Sequence, residues 1–399
     1  MTAQATEIRT DPPRLAAGAS VMVRRLIALA AAGLLLSGCV SGSRSVFAAE
    51  DRAAAVPMGI TGTAERPVRF YLDDASRVAF FEASIRRGLP VGPDGRMDMV
   101  ALSGGGANGA FTAGIMAGWT ASGTRPDIEI VTGVSTGALA APFVFLGPEW
   151  DDELAEAYLG GGAARLLQPQ GLGALFGSGV FRGEPLRDLV ESFIDGAVLE
   201  AVAAEAAKGR VLLVATTDLD SQRGVSWDMG AIASRGGPEA LALFRDVLIA
   251  SASIPGAFPP VLIPSESGGR RFEEMHVDGG VATPFLALPE TFWSYRDQAG
   301  RLEGARLYVI VNGRLAPSFE ITRDSVGGVL SRTVDTVMLS SLTTTLAGNR
   351  AFADRNGLVF RYASLPDDNR ADPLDFSVES MRPIYEIGRG GALDGSIWR

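Results

Sequence analysis

The sequence predicts an α/β fold of three layers, with a mostly parallel central sheet between layers of helices. Three observations predict it. A short apolar run feeds a glycine-rich loop and then a helical pattern. A second, β-branched run feeds a serine turn and another helical pattern. Short strand-like and longer helix-like segments then keep alternating along the 399 residues. Alternation of this kind packs helices on a parallel sheet.

The first unit begins with Met97 to Leu102, an apolar run suited to a buried strand, followed by Gly104-Gly105-Gly106-Ala107-Asn108-Gly109 and a helix through Trp119. The second begins with Ile128 to Val134, turns at Ser135 and continues as the small, apolar helix Thr136 to Leu146. Arg210 to Thr217, Arg306 to Val311 and Leu358 to Tyr362 read as further strands, and Leu186 to Ile194, Val198 to Ala207 and Pro238 to Ala252 as helices. Val326, Leu330, Val334, Met338, Leu342 and Leu346 recur every four residues, which predicts a long amphipathic helix packed on the body. Before the first unit, Val78, Phe81 and Ile85 place a short amphipathic helix over Asp74 to Arg87, ahead of a Gly/Pro-rich turn from Gly88 to Gly95. No internal repeat or separate second domain is evident. The expected divisions are a signal segment 1–39, a tether 40–67, an N-terminal extension 68–96, a catalytic domain 97–290, and strands and helices of 291–399 packed on that same domain.

The composition, 47% hydrophobic and 21% charged with 49 glycines, fits a compact globular protein. A net charge of -10, with no run of five basic residues, argues against nucleic acid as a partner. Met22-Val23-Arg24-Arg25, the apolar stretch Leu26 to Leu36 and Ser37-Gly38-Cys39 read as the three regions of a secretory signal. The apolar stretch falls short of the roughly 20 residues that a membrane span needs. Glu7, Asp11 and Pro12-Pro13 fit poorly ahead of a signal, which makes Met22 an alternative start. Leu36-Ser37-Gly38-Cys39 resembles the bacterial lipoprotein box, and Cys39 is the only cysteine, so no intramolecular disulfide forms. The expectation is an exported lipoprotein held at a membrane on the periplasmic side. Cleavage near Phe47-Ala48-Ala49, with Cys39 discarded, is the alternative.

Gly133-Val134-Ser135-Thr136-Gly137 matches the G-x-S-x-G elbow. A nucleophile on a sharp strand-to-helix turn needs neighbours without side chains, and the amides opening the helix favour negative charge on a substrate oxygen. The same pattern also occurs as a small-residue turn that merely packs a helix on a strand. The Gly104 to Gly109 loop matches the dinucleotide pattern G-x-G-x-x-G, with Glu129 about 20 residues on. A ribose-binding acid belongs at the end of the second strand, whereas Glu129 stands near its beginning, so no dinucleotide cofactor is expected. In a hydrolase such a loop presents backbone N–H groups, from Gly105 and Gly106 first, to an oxyanion. The base is open between two schemes. His276, the only histidine, could complete a triad with Asp218 or Asp220. Asp278 of Asp278-Gly279-Gly280 could instead take the Ser135 proton directly.

The glycine loop, G-x-S-x-G and D-G-G, in that order, resemble the patatin-like phospholipase family over roughly residues 97 to 290. Ser251-Ala252-Ser253-Ile254-Pro255-Gly256-Ala257-Phe258-Pro259-Pro260 is similar to that family's helix end and proline turn. The resemblance implies a patatin-like fold and a lipid ester hydrolase of phospholipase A or lysophospholipase type. It also implies oxyanion donors within Gly104 to Gly109, Ser135 as nucleophile, Asp278 as base, and neither catalytic histidine nor metal. Asn108 departs from the Arg or Lys of many members, and Ser103 from the acid of plant patatins. Gly171 to Phe181 mixes glycine with large apolar residues, as a mobile loop touching acyl chains or a bilayer would, or as a loop tucked into the core. The acid pairs Asp151-Asp152 and Glu273-Glu274 are expected on solvated faces. A competing reading is a lipid-binding scaffold that keeps a hydrolase fold without using its site.

Overall fold

In a computed structural model, which describes residues 44–46, 55–60, 67–74, 91–168, 179–288 and 290–399, the alternation read from the sequence becomes a sheet flanked by helices. The expected signal with Cys39, most of the tether, the Asp74 to Arg87 helix beyond Asp74, and residues 171–178 of the glycine-rich loop lie outside the described residues. The strands are β1 (Val56–Pro57), β2 (Arg69–Tyr71), β3 (Asp98–Leu102), β4 (Ile130–Val134), β5 (Val211–Asp218), β6 (Arg223–Asp228), β7 (Val261–Ser267), β8 (Arg270–Asp278), β9 (Arg306–Val311) and β10 (Val359–Ser364). The helices are α1 (Ala110–Ala121), α2 (Thr136–Leu146), α3 (Asp151–Leu159), α4 (Glu184–Phe193), α5 (Gly196–Ala207), α6 (Met229–Ala233), α7 (Gly237–Ser251), α8 (Val326–Asn356) and α9 (Val378–Leu393).

The sheet runs β1-β7-β8-β5-β4-β3-β9-β10, with β6 pairing β5 and β2. Its β10-β9-β3-β4-β5 half is parallel, and β3 is buried along its whole length, as a strand covered on both faces must be. The other half is antiparallel. Here β7 alternates buried with exposed or half-buried residues, and the Gly268-Gly269 turn, both at positive φ, reverses the chain into β8. That alternation, the pattern of a sheet solvated on one face, is what the search for apolar runs missed.

One detail of the register positions the site. β4 pairs with β5 up to Val134 opposite Ala215, and β8 takes over at Asp278 opposite Thr216. β6 pairs with β5 across these same rungs, so β4 and β8 share the other edge of β5. Since β4 runs parallel to β5 and β8 antiparallel, the two strands approach head-on and stop at neighbouring rungs.

On the helical layer, α9 crosses α1 at close range. Added Cβ atoms at Gly114 or Gly118 would run into the carbonyls of Tyr385 or Arg389, so small residues let the two backbones touch. Trp119, Tyr308 and Trp398 close this end, with ring centroids 4.7–5.1 Å apart.

The long helix α8 departs from the expectation. Its C-terminal half is bolted down: Asn349 accepts from the Leu288 amide at 3.1 Å, and Leu342 and Leu346 pack on the β3 and β9 core. Val326, Leu330, Val334 and Met338, expected against the body, are exposed, because no residue of the helix before Thr345 is buried and this half stands clear of the core. The acid pairs depart as well. Asp152 is exposed, but Asp151 is buried against Arg125 at 2.7 Å, and Glu274 is buried against Arg69. Strand alternation turns Glu274 inward, and a buried carboxylate persists where a cation meets it.

Candidate active site

Ser135 follows β4 and caps α2 with φ 57° and ψ -126°. A positive φ in a residue with a Cβ is strained, and it is held here by close packing on both sides. A Cβ on Gly133 would lie 2.6 Å from the Ala138 Cα, and one on Gly137 would lie 2.6 Å from the Leu102 carbonyl oxygen. Val134 and Thr136, between these glycines and the serine, are buried. The Ser135 amide donates to Ser251 Oγ at 3.0 Å, and Ser251 Oγ in turn donates to the Ala215 carbonyl at 2.6 Å.

Asp278 ends β8 one rung away. Ser135 Oγ donates to its Oδ2 at 2.5 Å, and the Gly280 amide donates to its Oδ1 at 2.7 Å. The Asp278 amide donates to the Ser253 carbonyl at 3.0 Å, and Thr217 Oγ1 donates to the Asp278 carbonyl at 2.9 Å. A Cβ at Gly279 would collide with the Ala215 carbonyl, which explains a residue without a side chain where the chain leaves the sheet. Burial pushes the Asp278 carboxyl up to about 6, against the lowering by the Ser135 hydroxyl and the Gly280 amide.

The glycine loop stands alongside. A Cβ on Gly104 would lie 3.1 Å from the Ser135 Cβ. Three of the loop amides are engaged. Gly104 donates to Pro284 at 3.2 Å, Ala107 to Pro373 at 2.8 Å and Asn108 to Gly105 at 3.1 Å. Gly109 opens α1 and packs so near Thr136 and Tyr158 that no side chain fits there. The amides of Gly105 and Gly106 have no acceptor among the described residues, and Asn108 Oδ1 is buried without a partner. Side chains at Gly105 and Gly106 would strike the Asn312 and Pro373 carbonyls, so packing shapes the loop as much as its sequence does.

Asn312, just past β9, is a residue the sequence reading missed. Its amide donates to Ser103 Oγ at 2.8 Å, its Nδ2 to the Ser103 carbonyl at 2.9 Å, and its Oδ1 accepts from Thr112 at 2.8 Å. It buckles the loop between β3 and α1. The Ser251 and Ser253 contacts give the stretch through Pro260 a concrete task, since one serine holds the backbone of Ser135 and the other that of Asp278.

His276 is turned elsewhere. Its Nδ1 lies 2.9 Å from Thr216 Oγ1 and its Nε2 3.5 Å from Glu274 Oε2, while Trp227 packs edge-on at 5.5 Å and donates to Thr216 at 2.8 Å. Of its suggested triad partners, Asp218 receives the Asp220 amide at 3.1 Å and the Ser221 hydroxyl at 2.9 Å. Glu129, the would-be ribose acid, accepts the Asp98 amide at 2.6 Å at the opposite end of β4 from Ser135. Among the described residues no cluster of three or more His, Cys, Asp or Glu side chains is placed to hold a metal ion. The last residues of the apolar loop pair with the proline turn, Val180 to Gly256 at 3.0 Å and Phe181 to Ala257 at 2.9 Å.

The model of the family described as patatin-like phospholipase matches residues 100–289, which contain Ser135, Asp278 and the whole glycine loop. Among solved structures, the chain is similar to the crystal structure of VipD from Legionella pneumophila at 12% identity and a TM-score of 0.39, over 76% of this chain and 67% of that one. It is also similar to the type III effector protein ExoU at 16% identity and a TM-score of 0.24, over 76% of this chain and 53% of that one. The chain thus spans about half the length of the second. No curated protein matches it.

Proposed function

The chain belongs to the patatin-like phospholipase family through residues 100–289, and from that premise we propose how it cleaves lipid esters. Lipid ester hydrolysis is the general activity of this family. The proposal for this chain is a Ser135–Asp278 dyad of phospholipase A or lysophospholipase type. One observation carries it: the 2.5 Å hydrogen bond from Ser135 Oγ to Asp278 Oδ2, between groups that end two converging strands.

In the acylation step Ser135 Oγ attacks the ester carbonyl carbon as its proton passes to Asp278 Oδ2. The oxygen that gains charge is met by the N–H groups of Gly105 and Gly106. The tetrahedral intermediate collapses, the ester C–O bond breaks, and the leaving alcohol takes the proton from Asp278. Water then gives a proton to Asp278 and attacks the acyl-serine, and the same proton returns to Ser135 as the fatty acid leaves. Oδ1, fixed by the Gly280 amide, keeps Oδ2 aimed at the hydroxyl. The base acts when ionised, so turnover rises with pH through about 6. Held at Thr216 and Glu274, His276 orders the strand behind the base.

Labelling with a fluorophosphonate tests this reading. The wild-type chain is expected to label and Ser135→Ala not to. An unlabelled wild-type chain favours the scaffold that keeps the fold without the chemistry. We also infer that Cys39 carries a lipid anchor that sets the enzyme beside its substrate on the periplasmic side of a membrane. Intact mass of the membrane fraction tests that, and a mature N-terminus beyond Cys39 excludes it.

A further inference from the structure

The N-terminal half of α8 stands clear of the core with an apolar stripe turned to solvent. Val326, Val329, Leu330, Val334 and Val337 fall at the i, i+3, i+4 spacing of one helix face, and all are exposed, Val326 by 79% and Val337 by 61%. Phe319 and Ile321, just before the helix, are exposed by 95% and 82%. Between Val326 and Ser341 the charged residues are Arg332 and Asp335, which project from the opposite side of the helical wheel, and Arg332 bonds to the Ser318 carbonyl. Isolated exposed apolar residues need no explanation, but an uncharged, mostly apolar stripe about three turns long, interrupted by Thr333, does.

The stripe leads to the candidate active site. Met338, at its edge, lies with its Cε 3.4 Å from where a Gly280 Cβ would stand, two residues from Asp278, and Val281 beside it is exposed. Met338 thus joins the exposed face of the helix to the residues that follow Asp278.

We propose that this face of α8 docks on a lipid surface, lying in its interfacial plane so that substrate passes from the bilayer to Ser135. The proposal rests on the lipid ester reading above, which makes a bilayer the source of substrate. Three features select a bilayer as occupant. The stripe carries no charge, it is flanked by polar Arg332 and Asp335 on the far side, and it is continuous with the site that consumes the lipid. No helix among the described residues is long and apolar enough to cross a membrane, so α8 would lie on the surface. With one cation and one anion, Arg332 and Asp335, on the polar side of its N-terminal half, this part of α8 needs no anionic lipid.

The test uses the full chain carrying Cys39→Ser and Val337→Cys, with a nitroxide on the single cysteine. On addition of neutral phosphatidylcholine vesicles, collisions of the label with oxygen are expected to rise and those with a water-soluble nickel chelate to fall. A label equally open to the chelate with vesicles present overturns the proposal. Spin–spin broadening without vesicles also overturns it, since a second copy then covers the stripe. Because this readout needs no turnover, an immersed label on a chain that cleaves no ester rejects the activity and keeps the docking. On an active chain, Leu330→Asp with Val334→Asp should lower hydrolysis of vesicle lipid about tenfold or more, leaving a soluble short-chain ester within about twofold. Equal losses on both substrates, or no loss on vesicles, count against docking.

Discussion

Asp278 and Glu274 stand four residues apart on β8, both buried, and their acidities are driven in opposite directions. Burial raises both. At Glu274 the hydrogen bonds from His276 and Arg69 and the Arg69 charge outweigh it and hold the carboxyl well below the usual range. At Asp278 the partners are a neutral hydroxyl and one backbone amide, and burial wins, leaving the carboxyl near 6. A carboxylate without a cation is costly to the fold and useful as a base. The neighbour that has one is a strut.

The comparison can be broken by exchanging what each carboxylate lacks or has. The largest effect is expected in catalysis. Ser135→Ala removes the proposed nucleophile and should abolish turnover, and Asp278→Asn should lower kcat by about 10²–10⁴ while circular dichroism and melting stay cooperative. Steady-state hydrolysis of a soluble ester checks both. Next comes stability. Arg69→Met strands Glu274 without its cation and should cost about 3–5 kcal/mol in a urea melt at pH 7. The wild-type contribution of this pair is present above the ordinary Glu value of about 4.3 and is lost as pH falls below it, because the folded value lies lower.

Asp278→Asn should act on stability with the opposite sign. The folded value of Asp278 lies above its unfolded one, so its burial weighs against folding as pH rises above the unfolded value of about 4, and in full above about 6. The asparagine variant is then expected to be more stable than wild type at pH 8 by on the order of 1–3 kcal/mol, with the gain vanishing near pH 4. Melts at the two pH values decide it, and a variant less stable at pH 8 contradicts the unbalanced burial of Asp278. The smallest effect is at the support of the elbow. Ser251→Ala leaves the Ser135 amide without its acceptor and should cost about 1 kcal/mol in stability and a several-fold loss in kcat.

The residues proposed to react stand out in the sequence because their constraints are local. A serine at positive φ needs Gly133 and Gly137 within two residues, and an aspartate turning under a β5 carbonyl needs Gly279 next to it. Their supports are not local. Ser251 meets Ser135 across 116 residues, Arg69 meets Glu274 across 205, and Asn312 meets Ser103 across 209. Nothing in the spacing of an isolated Asn or Arg announces such a partner. In the fold, continuous apolar runs gave away β3, β4 and β9, while the alternating β7 and the charged opening of β8 escaped that search. The four-residue recurrence in α8 marked a helix, but periodicity does not say whether its apolar residues meet protein or solvent.

The central claim is that Asp278, not His276, activates Ser135. The most direct test is the rate of Ser135 phosphonylation by a fluorophosphonate as a function of pH. The account predicts a limb rising through about pH 6 in wild type. The limb should remain in His276→Gln and be absent from Asp278→Asn. A limb that survives in Asp278→Asn and disappears in His276→Gln would contradict it.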